Sequence, residues 1–459
     1  MARDKIVLLF PDGVGIRNYL YSDVFKGFEK DLILFHNFDD TTINDICRNV
    51  NFEKDYTIPV YKESFKEKFL RELICYLRLQ HNAKITQNKT ILSNWNPLKN
   101  TFLKKMFYFL IESISSLISN YNYILKLEDL YQKEIRKHSF YHQVRALLCE
   151  INPTHLFCSH QRGIQCAPVF AAAQDLNIET VTVIFSWDNL PKARMALKAK
   201  KYFVWSNYMK DEIKLYYPEI SKENIVVTGT PQFEFYSDES NIIEKETFYK
   251  QYNLDFNKKI ICFSGDDAHT SPDDPKYLED IVTVLVQNGL DENYQILFRR
   301  CPVDITGRYD EICTANPTLI KKVSPIWNRK SNAGFASIYP SIDDVKLLVS
   351  TVYYSDIVVN VGSTMAFDFA MYDKPCIFIN YDQNEKLNPN WSTKKIYEFQ
   401  HFKSMPSPEA VYWLNNKSDL ISILNNEKLH KNTDGMKLWK NIVLGDYKEA
   451  SSTIKKELN

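Results

Sequence analysis

The stretch from Asp356 to Ile379 reads as a strand, a turn, a short helix and a second strand. Ile357 to Val361 is an apolar, mostly β-branched run broken only by Asn360, long enough for one buried strand. Gly362-Ser363-Thr364 interrupts it, Met365 to Tyr372 continues at helical spacing, and Lys374-Pro375 ends the helix before Cys376 to Ile379. Two strands joined by a crossover helix pair in parallel, and parallel sheets are buried on both faces. This one stretch therefore commits the chain to an α/β fold. Its turn offers backbone N–H groups and hydroxyls at a helix start, which suits a phosphate or diphosphate. The plainer reading is a helix N-cap.

The same alternation recurs along the chain. Lys5 to Phe10 is a strand, Asp12-Gly13-Val14-Gly15 a tight turn, and a helix begins near Ile16. Strands follow at Leu32 to Phe35 and Thr57 to Val60, and, after a helical insertion over about 61–150, at Thr154 to Cys158, Val181 to Phe185, Tyr202 to Trp205 and Ile225 to Val227. Gly229-Thr230-Pro231 marks a boundary. A second series has strands at Ile260 to Phe263 and Gln295 to Phe298, then the stretch described first. At 459 residues the chain exceeds one ordinary core, so two domains of roughly 200 residues each are expected. We expect two doubly wound parallel sheets facing across a cleft: an N-terminal domain over 1–232, a C-terminal domain over 233–428, and helices over 429–459 packing back across both. Ligands of such sheets bind beyond the carboxyl ends of the strands, so the turns after strands carry the function.

Composition narrows the classes. The 57 basic and 57 acidic residues cancel, which gives no support to nucleic-acid binding. Nine scattered cysteines, none in C-x-x-C spacing, read as reduced core residues of a cytoplasmic protein. No signal-peptide core or stretch of about 18 apolar residues is seen, so neither a leader nor a transmembrane helix is expected.

The order of motifs resembles the GT-B fold of nucleotide-sugar glycosyltransferases, and is most similar to bacterial surface-polysaccharide transferases related to the CDP-glycerol glycerophosphotransferase group. Gly362-Ser363-Thr364 followed by Asp368, seven positions before Pro375, resembles the donor-binding turn of that fold. The family residue at Asp368 is commonly Glu, and a Gly commonly stands where this chain has Asp373. Arg299-Arg300-Cys301-Pro302-Val303-Asp304 resembles an Arg-x-His-Pro motif, with Cys301 in place of the His. Ser186-Trp187-Asp188-Asn189 is similar to a loop of the same transferases.

The resemblance implies a nucleotide sugar held by Gly362, Ser363, Thr364 and Asp368, with Arg299 or Arg300 on its phosphates, no metal and no cofactor. Only one of the two arginines is needed there; the other is a salt-bridge or surface residue. The acceptor is a growing, lipid-linked surface glycan, and Asp12 is the general base in preference to His160. A sugar-nucleotide 2-epimerase, a glycerophosphotransferase-like enzyme and a non-catalytic subunit of a polysaccharide assembly complex are the alternatives. Residues 61–110 hold ten Lys or Arg against three Glu, and Leu103, Met106, Phe107, Leu110, Ile114, Leu117 and Ile118 recur on one helical face. That face is expected either to pack on the N-domain core or to dock, as a peripheral element, on an anionic inner membrane leaflet.

Overall fold

Ile6 to Phe10 has no polar side chain and every one of these residues is buried, as the centre of a parallel sheet requires. In a computed structural model of the protein, residues 4–329, 338–426, 429 and 433–459 are described. The chain divides into two units. Unit 1 is Met1–Pro231, Phe399–His401 and Val443–Asn459, and unit 2 is Gln232–Glu398 and Phe402–Ile442.

Unit 1 has seven strands: β1 (Lys5–Phe10), β2 (Asp31–His36), β3 (Lys54–Thr57), β4 (His155–Cys158), β5 (Glu179–Val183), β6 (Lys201–Val204) and β7 (Ile225–Val227). They lie in the order β3-β2-β1-β4-β5-β6-β7, and all neighbours are parallel. The chain leaves β1 towards β2 on one side and returns to β4 on the other. The order therefore reverses between β1 and β4.

Unit 2 repeats the plan with β8 (Lys259–Gly265), β9 (Tyr294–Arg300), β10 (Ile320–Lys322), β13 (Ile357–Asn360), β14 (Cys376–Ile379) and β15 (Tyr412–Leu414). Its order is β10-β9-β8-β13-β14-β15, again all parallel, with the reversal between β8 and β13. A short antiparallel pair, β11 (Trp327–Arg329) and β12 (Ile338–Pro340), stands apart. The expected α/β class with two doubly wound sheets is what the chain adopts.

Several local expectations are corrected. The third strand is Lys54–Thr57 rather than Thr57 to Val60, because Pro59 has no N–H for a ladder and Lys54–Thr57 is a largely exposed edge. The helix after Gly15 is only one turn, Ile16–Leu20. All nine cysteines are unpaired and six are buried, but Cys47 and Cys149 are exposed.

The insertion between β3 and β4 holds four α-helices, Phe65–Ile85, Phe102–Ser115, Tyr121–Ile135 and Ser139–Ile151. The first begins at a reciprocal cap: Ser64 Oγ accepts from the Glu67 N–H, and Glu67 Oε2 accepts from the Ser64 N–H. Buried Arg78 fastens it, donating to Glu128 at 3.0 Å, the Tyr121 hydroxyl at 2.6 Å and the Tyr216 carbonyl at 3.1 Å. The helix Phe102–Ser115 lies the other way round from the core-packing expectation. Its buried residues are Tyr108, Ile111 and Ser115, while Leu103, Met106, Leu110 and Leu117 are exposed. The smaller apolar stripe packs, and the larger one faces outward.

Candidate functional site

Each unit carries candidate site residues in the loops near the point where its strand order reverses, the place at which open α/β sheets bind ligands. In unit 1, β1 and β4 run side by side with Leu9 opposite Cys158. Asp12 follows the end of β1 by two residues and His160 follows the end of β4 by two. Residues 148 positions apart are thereby joined: His160 Nδ1 lies 2.8 Å from Asp12 Oδ2. The other carboxylate oxygen of Asp12 accepts from the Val14 N–H at 2.9 Å. A carboxylate accepts from a ring N–H, which leaves the lone pair on Nε2 of His160. That nitrogen has no hydrogen-bond partner among the described residues. The turn is set by Gly15 at φ +88°, where a Cβ would also come within 2.7 Å of Ser159 Cβ.

The loop after β5 joins the same cluster. Gln161 Nε2 donates to Asn189 Oδ1 at 3.1 Å, and Asp188 Oδ1 accepts from Ser186 Oγ at 2.7 Å and Asn189 Nδ2 at 2.8 Å. Lys192 pairs with Asp188 Oδ2. Burial works against the Asp188 charge, but the charge of Lys192 and the hydrogen bonds from Lys192 and Ser186 outweigh it and hold the carboxyl below its usual range. Burial pushes His401, stacked edge-on to Trp187 at 4.7 Å, down to about 4, so this imidazole is neutral at neutral pH.

Sequence reasoning missed one residue here. Arg162, in the loop Ser159 to Gly163, makes no hydrogen bond or ion pair among the described residues. Burial lowers its pKa, with the charges of Asp188 and Asp12 acting to raise it. It lines an open pocket together with Arg71, Cys75, Glu128, Tyr131 and Arg194. Arg71 is committed to Glu63 at 2.6 Å and Arg194 faces Glu72 at 3.5 Å, so of the three arginines lining the pocket only Arg162 lacks an ion pair among the described residues. Only its place after a strand end marked it in the sequence.

In unit 2 the reversal point lies between β8 and β13, and Gly362-Ser363-Thr364 follows β13 after Val361. Gly362 takes φ +70°, and a Cβ there would meet Phe402 at 2.8 Å. Asn360 Oδ1 accepts from the Ser363 N–H at 2.8 Å, so the strand's one polar residue shapes the turn. Asp368 lies buried in the helix Met365–Ala370, and its Oδ1 accepts from the Tyr236 hydroxyl at 2.7 Å. Asp373, where the related fold commonly has Gly, takes the left-handed φ of +55° that a Gly would supply at no steric cost.

The two arginines ending β9 part company, as successive residues of a strand must. Arg299 is buried and donates to both carboxylate oxygens of Asp344 at 2.9 Å. Asp344 also accepts from the Trp327 indole at 2.7 Å and the Ile326 N–H at 2.9 Å. Arg299 is thus the salt-bridge member of the pair. Arg300 has no partner among the described residues and lines an open pocket with Asp304, Tyr309 and Lys322. Burial pushes the Cys301 thiol up to about 12, so it stays neutral where the related motif carries His. After β8, burial and the charge of Asp274 raise Asp266 well above the carboxylate range. A protonated carboxyl there is a donor for a phosphate oxygen. No group of three or more potential metal ligands occurs among the described residues.

No family model matches the sequence. The teichoic acid poly(ribitol-phosphate) polymerase of Bacillus spizizenii is 21% identical over 225 residues, covering 48% of this chain and 31% of that protein. A solved UDP-N-acetylglucosamine 2-epimerase covers 100% of this chain and 96% of its own, at 11% identity and a TM-score of 0.55. The S. aureus MnaA–UDP co-structure covers 98% and 94%, at 10% identity and a TM-score of 0.53. The UDP-GlcNAc 2-epimerase of Methanocaldococcus jannaschii, in complex with UDP-GlcNAc and UDP, covers 99% of each chain at 10% identity and a TM-score of 0.51. With two all-parallel, doubly wound sheets in sequence, these likenesses establish the GT-B fold.

Proposed function

We propose that the protein is a GT-B transferase that moves a sugar from a nucleotide donor, bound by unit 2, to a hydroxyl of a surface-glycan acceptor, bound by unit 1. The observation that carries this reading is the Asp12–His160 pair at the reversal point of unit 1, with the uncommitted Arg162 two residues on. A hydroxyl becomes a competent nucleophile when a positioned base removes its proton. His160 Nε2 is that base, and Asp12 is its positioning residue, inverting the preference stated from sequence. The acceptor oxygen bonds to the anomeric carbon, its proton passes to Nε2, and the bond from that carbon to the donor phosphate breaks. The leaving nucleotide keeps the electron pair, and Arg300 stabilises its added negative charge. Arg162 holds an anionic group of the acceptor. The partial sequence likeness to a teichoic acid polymerase supports an anionic wall-polymer acceptor, and the UDP complexes among the fold neighbours support UDP as the donor base.

A 2-epimerase is the second reading, favoured by the fold neighbours that span the whole chain. It would use the same donor site and need no acceptor.

The donor assignment is tested by a thermal-shift screen against UDP, GDP, CDP and CMP, followed by calorimetry on the best binder. A nucleotide at 100 times its Kd should stabilise the protein by about 2.7 kcal/mol. Asp368→Ala is expected to weaken nucleotide binding by about 1–3 kcal/mol. Asp368 already serves Tyr236, so the opposing outcome is concrete. Lower stability with unchanged nucleotide affinity would make Asp368 a structural partner of Tyr236 and remove it from the site.

A further inference from the structure

The helix Phe102–Ser115 turns its larger apolar face to solvent. At about 100° per residue, Tyr108, Ile111 and Ser115 share one arc, and they are its buried residues. The opposite arc, about 120° wide, carries Phe102, Leu103, Met106, Phe109 and Leu110. These are 74, 79, 53, 64 and 47% exposed. Phe65 extends the face from the neighbouring helix, 73% exposed and in ring contact with Phe107 at 5.5 Å. Single exposed apolar residues are ordinary on protein surfaces, whereas a continuous helical face of them marks a binding surface.

Charge identifies what binds. Lys104 and Lys105 stand in the first turn without a carboxylate partner among the described residues; Lys104 donates only to the Asn100 side chain, at 3.0 Å. Lys68 lies over the Phe107 ring at 5.6 Å. Lys105 stands about 40° beyond the edge of the apolar arc and Lys68 lies beside it on the neighbouring helix, while Lys104 projects from the opposite side; an apolar arc bordered by cations matches a bilayer whose headgroups are anionic. A second copy of the chain is a poorer match, since a two-fold contact would set these cations against themselves. Among the described residues no helix is long and apolar enough to cross a membrane, so this helix can only lie on one.

We propose that the outward face of Phe102–Ser115 seats the protein on an anionic lipid surface. The proposal goes beyond the transferase reading and does not depend on it, since neither nucleotide nor acceptor enters its test. The protein is sedimented with phosphatidylcholine vesicles, with and without phosphatidylglycerol, at low and high salt. Binding is expected only to the phosphatidylglycerol vesicles and is expected to weaken in high salt. Phe109→Glu with Leu110→Glu, and separately Lys104→Glu with Lys105→Glu, should each weaken it about tenfold or more. All four positions are exposed, and unchanged melting temperatures would show the variants folded. Protein left in the supernatant with anionic vesicles at low salt overturns the proposal. So does equal binding to neutral vesicles, or wild-type binding by both variants. A solution dimer dispersed by Phe109→Glu, without vesicle binding, would make the face a contact between copies instead.

Discussion

His160→Ala is expected to lower kcat by about 10²–10⁴, the usual contribution of a positioned general base, with nucleotide affinity unchanged. The expectation rests on the 2.8 Å contact with Asp12, which fixes the ring through Nδ1 and leaves Nε2 as the acceptor. Asp12→Asn should also lower kcat, because an amide can donate to Nδ1 and so favour the wrong tautomer. Its pH–rate profile should shift as well, which loss of packing alone would not produce. Arg162→Ala should act differently, raising KM for an anionic acceptor with a smaller effect on kcat, since it binds rather than transfers a proton. A dead Asp12→Asn beside an active His160→Ala would make the carboxylate itself the base.

Arg299→Ala is expected to destabilise unit 2 by about 3–5 kcal/mol, because it leaves the buried Asp344 charge without its cationic partner. Arg300→Ala should leave the melting transition within about 0.5 kcal/mol of wild type and weaken donor binding. Thermal melting and nucleotide calorimetry on the two variants separate the roles. A stable Arg299→Ala with lost nucleotide binding would return the phosphate contact to Arg299.

The contrast between these arginines shows where sequence reading stops. That only one was needed on a phosphate was legible, but which one was not. Alternation along β9 sends one side chain to each face, and only the position of Asp344 on a separate helix decides which is covered. Strands with unbroken apolar runs, such as Lys5–Phe10 and Cys376–Ile379, were legible because burial on both faces leaves a continuous signature. Ile320–Lys322 and Tyr412–Leu414 were not, although the equally short edge Ile225–Val227 was; Ile320 is followed by two lysines, and the pairing of both missed strands is set by their neighbours. Asp12 and His160 were each visible after a strand end. Their pairing depends on β4 lying beside β1 across the whole insertion, which no local pattern encodes. The helix at Phe102 had two apolar stripes, and periodicity alone could not tell which one the protein covers.

The central claim is transfer to an acceptor, and following the labelled sugar tests it most directly. The protein would be incubated with UDP-, GDP-, CDP- and CMP-sugars labelled in the sugar, each with and without a bacterial membrane-lipid extract, and the label partitioned between nucleotide, free-sugar and lipid or polymer fractions. Acceptor-dependent movement of label from one donor into the lipid or polymer fraction, with one nucleotide released per sugar transferred, is the predicted result. Label converted to an epimeric sugar without any acceptor, or donor bound and never turned over, would contradict it.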